Sequence, residues 1–200
     1  NDPKVVVLSA MSGTTNALVE ISDRLYKKKN EEAIELIKSL EKKYYAVVKD
    51  LYKTKECIDK GNGLIREHFA YIMGFTQDVF TLFEERAILA QGELISTALF
   101  HYYLSENGIN SILLPALDFM RINQDEEPDI SFIKEHASKE IAKYPGQKLF
   151  ITQGYICRNP YGEIDNLKRG GSDYTATLLG AALDATEIQI WTDIDGVHNN

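Results

Sequence analysis

Hydrophobic residues along the chain fall into two alternating patterns. Short unbroken apolar runs occur at 4–8, 109–114, 148–152 and 187–191, and they read as strands of a buried sheet. Between them the apolar positions recur at helical spacing. One helix follows the turn at 9–15 and carries Leu18, Val19, Leu25 and Tyr26. A second, over 31–53, sets Ile34, Ile37, Leu40, Tyr44, Val47, Val48 and Leu51 on one face. Gly61 and Gly63 predict a break, followed by a helical stretch over 65–89 that contains Gly74. Gln91-Gly92-Glu93 is expected to open a further helix, which Gly108 ends. Helices are also predicted over 129–143 and 172–184, with a turn-rich excursion at 158–166.

Strands alternating with helices predict an α/β chain: a three-layer αβα sandwich with a mainly parallel central sheet. In such sheets ligands bind beyond the carboxyl ends of the strands. Three of those ends are rich in small or polar residues, at 9–16, 152–154 and 192–196, so a site is expected where they converge. There is no internal repeat or low-complexity tract.

Composition narrows the partners. With 44% hydrophobic and 26% charged residues in 200, the chain suits one globular domain. A net charge of −8 argues against nucleic acid or an anionic membrane surface. The Lys-rich runs at 27–29 and 42–43 lie among glutamates and read as solvated helix faces. Cys57 and Cys157 match no metal or redox spacing, the four histidines show no ligand spacing, and a reduced cytoplasmic setting is the default. No apolar run reaches membrane-span length.

Four segments can carry chemistry. Arg169-Gly170-Gly171-Ser172-Asp173 leads into a helix. Its glycines allow close backbone approach, Ser172 is a candidate cap, free N–H groups favour an anion, and Arg169 can grip a carboxylate or phosphate with two bonds. Asp173 suits an ammonium group or a metal. An ordinary well-capped helix start is the plain alternative. Ser9 to Asn16 is a hydroxyl-rich strand-to-helix turn without the Gly-Lys-Ser/Thr ending of a P-loop. Glu93, in the first turn of its expected helix, reads most simply as a surface group answering the helix dipole. Asp193 and Asp195, after the last apolar run, either hold Mg²⁺ through water or form a turn.

Together SAMSGTTN, QGE, ITQGY, RGGSDYTATLLGAAL and EIQIWTDIDGV resemble, in order and separation, the aspartate kinase branch of the amino-acid kinase family. The resemblance implies ATP-dependent phosphorylation of the side-chain carboxylate of L-aspartate, the first step of aspartate-family amino-acid biosynthesis. It implies ATP with Mg²⁺, with no residue here assigned as a metal ligand. It places Thr15, Glu93 and Arg169 against aspartate, with Tyr155 as an aromatic wall where phenylalanine is common. Ser172 and Asp173 are assigned to the same pocket and to organising the transferring group. Gly170, Gly171, Thr192 and Asp193 are assigned to the nucleotide, and so is His198, where tyrosine is often found. It further implies that a lysine-bearing first strand lies before Asn1, that ACT domains mediating homo-oligomerisation lie after Asn200, and that the chain alone is inactive. A related kinase acting on another carboxylate or on a nucleotide, and a non-catalytic amino-acid-binding regulatory module, are the alternatives.

Overall fold

A computed structural model describes residues 3–77, 79–168 and 170–191. The elements run β1 Lys4–Leu8, α1 Thr14–Tyr26, α2 Asn30–Leu51, α3 Lys55–Gly74, α4 Leu82–Glu106 and β2 Ile112–Leu114. After a 3₁₀ turn, Ala116–Asp118, come α5 Ile130–Ala142, β3 Leu149–Gln153, β4 Ile156–Arg158, β5 Ile164–Asn166 and α6 Gly171–Ala182.

The main sheet has the order β1-β3-β2, all parallel, with Val6 and Leu113 both in register with Ile151. α4 packs on its strands, while α5 and α6 pack together with α6 reaching β1. That is the layered α/β arrangement expected. Central β3 is buried, but Val5 to Leu8 are only half-buried, because β1 is an edge strand among the described residues. The excursion at 158–166 is the antiparallel hairpin β4–β5, held by Cys157 opposite Asp165.

Two apolar clusters form the core. One joins α1, α2, α3 and α4 through Leu18, Ile37, Tyr44, Val48, Phe69 and Ile88. The other lies around the sheet, α5 and α6, through Phe119, Phe150, Ile156 and Leu179. On α1 the inward face is Leu18, Ile21 and Leu25, with Val19 and Tyr26 on the outside.

Three expectations fail, each for a packing reason. Gly61 and Gly63 do not break a helix, since both lie inside α3. A methyl group on Gly61 would come within 2.9 Å of Tyr52 and 3.0 Å of Val48, so that glycine serves close approach of α3 to α2. The break falls instead after Gly74, and α4 begins at a capping box in which Thr81 and Glu84 satisfy each other's backbone N–H groups. Finally, 187–191 forms no strand. It makes no ladder with any described strand, Ile188 lies over Gly180, and Trp191 is 87% exposed.

Candidate active site

A cleft of about 490 Å³ opens beyond the carboxyl ends of β1 and β3. Its walls are Ser9, Thr15, Glu93, Tyr155, Lys168, Gly170, Gly171, Ser172 and Asp173. Two of the three expected strand ends therefore converge. The third, with Thr192, Asp193, Asp195 and His198, lies outside the described residues, as does Arg169.

The floor depends on glycine. Gly92 sits mid-way along α4, where an added methyl group would lie 2.9 Å from the Ala10 side chain and 3.4 Å from Thr14. The expectation that Gln91-Gly92-Glu93 opens a helix is thus corrected. Glycine read as a breaker is here the point at which a continuous helix touches the turn after β1. One residue on, Glu93 is 3% exposed, which also rules out the surface-dipole reading. Its Oε1 accepts the Ala10 N–H at 3.2 Å, while its buried Oε2 has no partner. Burial raises its pKa to about 7, only partly opposed by that N–H. Nearby, Ser96 donates to the Ser9 carbonyl at 2.7 Å and ties α4 to the same turn.

A second close approach forms the rear wall. A methyl group on Gly154 would fall 2.5 Å from Ser172 Oγ and 2.7 Å from its Cα. One on Gly171 would fall 2.7 Å from the Tyr155 ring. β3 thus runs directly against the start of α6. Tyr155 holds a left-handed φ of 66°, donates its N–H to Thr175 Oγ1 at 3.0 Å, and accepts the Leu167 N–H at 2.8 Å. Burial, with Glu93 adding to it, raises the Tyr155 phenol to about 12, so it stays neutral.

Both helices that point into the cleft begin on a left-handed glycine: Gly13 (φ 77°) for α1 and Gly170 (φ 76°) for α6. Neither start has a side-chain cap. Ser172 is therefore not the expected N-cap. It lies inside the first turn, packed on Gly154. Thr15 and Asp173 are exposed towards the opening, and Thr14 is buried with its Oγ1 2.9 Å from the Tyr44 hydroxyl. The sequence reading expects Ser9 only as part of the hydroxyl-rich turn at 9–16 and gives Lys168 no role. Lys168 directly precedes the motif that drew attention, which was the signal available.

The arrangement combines unsatisfied N–H groups for an anion with a buried carboxylate for a cation, the requirements of a site that takes a zwitterion beside a phosphate. Among the described residues no group of three or more His, Cys, Asp or Glu is placed to hold a metal ion, and no helix is long and apolar enough to cross a membrane.

The sequence pattern of the amino acid kinase family matches residues 1–200, and the chain belongs to that family. It is 32% identical over 209 residues to lysine-sensitive aspartokinase 3 of Escherichia coli (strain K12), covering 98% of this chain and 43% of that protein. It is 28% identical over 200 residues to the aspartokinase of Chlamydia pneumoniae, covering 98% and 42%. The chain thus spans less than half the length of these relatives. Crystal structures of E. coli aspartokinase III, one with lysine and aspartate and one with aspartate and ADP, each superpose with a TM-score of 0.82 at 31% identity, over 96% of this chain and 43% of theirs.

Proposed function

We propose that the protein containing this chain transfers the γ-phosphoryl group of ATP to the side-chain carboxylate of L-aspartate, forming 4-phospho-L-aspartate. The observation that carries this reading is Glu93. Its carboxylate is buried at the cleft with one oxygen unpartnered, and it faces a space bordered by two helix starts that lack side-chain caps. An amino-acid ammonium would satisfy that oxygen and favour its ionised form. The aspartokinase III structure with aspartate and ADP supports the same pair of ligands.

The chemistry needs little from the protein beyond charge and placement. The acceptor carboxyl, with an ordinary pKa near ~3.9, is already ionised at neutral pH, so no general base is required. The barrier comes from bringing one anion to another, and it is lowered by fixed N–H groups and cations around the transferring group. The N–H groups at the starts of α1 and α6 serve that role. Ser172 and Asp173 order the reacting end, with Gly170 and Gly171 letting the nucleotide approach. Tyr155 walls the amino-acid side, and Arg169 grips the α-carboxylate. Thr192, Asp193 and His198 belong to the nucleotide side in this reading. Among the described cleft residues the oxygen donors are hydroxyls, Glu93 and Asp173, a set suited to Mg²⁺ held mainly by phosphate oxygens and water. The same reading places the protein in the cytoplasm, at the head of the routes to lysine, threonine and methionine, and as a homo-oligomer through regulatory domains.

The test is steady-state kinetics of the full-length protein with ATP and aspartate. Glu93→Gln and Arg169→Ala should each cost at least about 2 kcal/mol in kcat/KM for aspartate, because each leaves a charged substrate group unpaired in a closed site. Affinity for an ATP analogue should hardly change. Loss of nucleotide binding with normal aspartate kinetics would reverse the two subsites, and absence of aspartate-dependent ADP formation would overturn the reading.

A further inference from the structure

Among the described residues lining the cleft, Lys168 is the one cationic side chain, the others being neutral or, as with Glu93 and Asp173, anionic. Lys168 also lines a neighbouring cleft of about 350 Å³ between the amino-terminal part of α4, the hairpin and the 122–128 turn. Its backbone therefore sits on the ridge between the two spaces. Its backbone is left-handed, with φ +63°, and the Lys168 N–H donates to Asn166 Oδ1 at 3.1 Å.

The ammonium lies 2.9 Å from Glu126, which stands at the tip of another tight turn with φ +60°. Asn123 Oδ1 holds that turn by accepting the N–H groups of Asp125 and Glu127 at 2.9 and 3.0 Å. Both members of the ion pair are open to water, with side chains 75% and 61% exposed. Such exposed pairs are weak, and the four-carbon stem of lysine lets its ammonium swing while the backbone stays still. A polyanion entering the cleft offers a much stronger partner than one solvated carboxylate.

We propose that Lys168 is a swinging cation of this site, which leaves Glu126 to meet the phosphates of a bound nucleoside triphosphate. The inference rests on the phosphoryl-transfer reading and adds a residue to it. In the transfer, a side-chain oxygen of the acceptor forms the new P–O bond as the bond from the γ-phosphorus to the β–γ bridging oxygen breaks, and ADP leaves with that electron pair. No proton moves. Lys168 keeps its charge throughout and neutralises the phosphate oxygens, so the acceptor carboxylate can approach.

Two variants of the full-length protein separate a phosphate contact from a structural latch. Lys168→Met keeps a side chain of similar length on the same left-handed backbone and removes the charge. Glu126→Gln removes the resting partner and leaves Lys168 free. If Lys168 meets the phosphates, Lys168→Met should lower kcat/KM for ATP by roughly tenfold or more and weaken a non-hydrolysable ATP analogue several-fold. Lys168→Arg should retain most activity, and Glu126→Gln should equal or exceed the parent. Equal losses in Lys168→Met and Glu126→Gln would show a latch and overturn the proposal, as would a Lys168→Met enzyme within twofold of the parent. The analogue titration also separates this inference from the reading beneath it. If the parent phosphorylates no aspartate but Lys168→Met still weakens the analogue, the choice of acceptor has failed and the Lys168 assignment stands.

Discussion

Helices that start at the cleft and helices that start away from it are built differently. α3, α4 and α5 each begin on a residue whose side chain accepts a backbone N–H: Thr54 from Cys57, Thr81 from Phe83 within its capping box, and Asp129 from Phe132. α1 and α6 begin on Gly13 and Gly170, with no such bond. α2 also lacks a side-chain cap, and Glu31 and Glu32 in its first turn answer the helix dipole as Asp173 does in α6. The chain thus caps three of the four helix starts away from the cleft and neither of the two that border it. It leaves N–H groups available at the two starts that border the cleft. Under the proposed function, local stability is given up at the two starts where phosphate oxygens would be met.

The sharpest way to break this contrast is at the rear wall. Gly154→Ala places a methyl group 2.5–2.7 Å from Ser172, including its backbone Cα, so the start of α6 must move. Kinetic loss of about a hundredfold in kcat/KM is expected, with more than about 2 kcal/mol lost from stability, measured by assay and by denaturant titration.

Glu93 should give opposite signs for function and stability. Its folded pKa of about 7 lies above an ordinary value of 4.5. Between those values the folded state holds a proton that the unfolded state has lost, so this group's contribution to stability falls as pH rises from about 4.5 to about 7. The ionised form is the one that meets an ammonium, so kcat/KM for aspartate should rise with pH through about 7. Glu93→Gln should flatten both profiles. At pH ~8 it should unfold at higher denaturant than the parent, by roughly 1–2 kcal/mol, while remaining poorly active. Equal stability of the two proteins across that range would show that Glu93 is not held protonated by burial.

The smallest effect is expected far from the cleft. Thr81→Ala removes the capping box of α4 and should cost about 1 kcal/mol in stability with kinetic constants unchanged. A kinetic effect comparable to that of Glu93→Gln would show that the capped and uncapped starts are not independent.

The sequence revealed the order of strands and helices and most of the cleft, because both are written in local patterns: apolar runs of two kinds, and clusters of small and hydroxyl residues at strand ends. Thr15, Glu93, Tyr155, Gly170, Gly171, Ser172 and Asp173 do come together. What misled was glycine. At Gly61 and Gly92 its backbone freedom suggested breaks, whereas its lack of a side chain is what the packing uses, and that depends on residues outside the local pattern: Tyr52 and Val48 at Gly61, and Ala10 at Gly92. The resting partner of Lys168 was hidden for a similar reason, since Glu126 lies 42 residues off and meets it only through two unrelated turns.

The unbroken course of α4 has a mechanical consequence. Its 25 residues make a rod of roughly 37 Å with Glu93 near the middle. One end is fastened by Tyr26 to Glu85 at 2.7 Å and by Arg86 to Asp165 at 2.6 Å. At the other end Glu106 accepts the backbone N–H groups of Lys53 and Thr54 at 3.0 and 2.7 Å. A strut anchored at both ends carries a load along its whole length. Midway, the Ala10 N–H on Glu93 Oε1 and the Ser96 hydroxyl on the Ser9 carbonyl fasten it a third time, and Gly92 lets it lie against Ala10 there, so the Glu93 carboxylate is held at a fixed place beside the turn after β1.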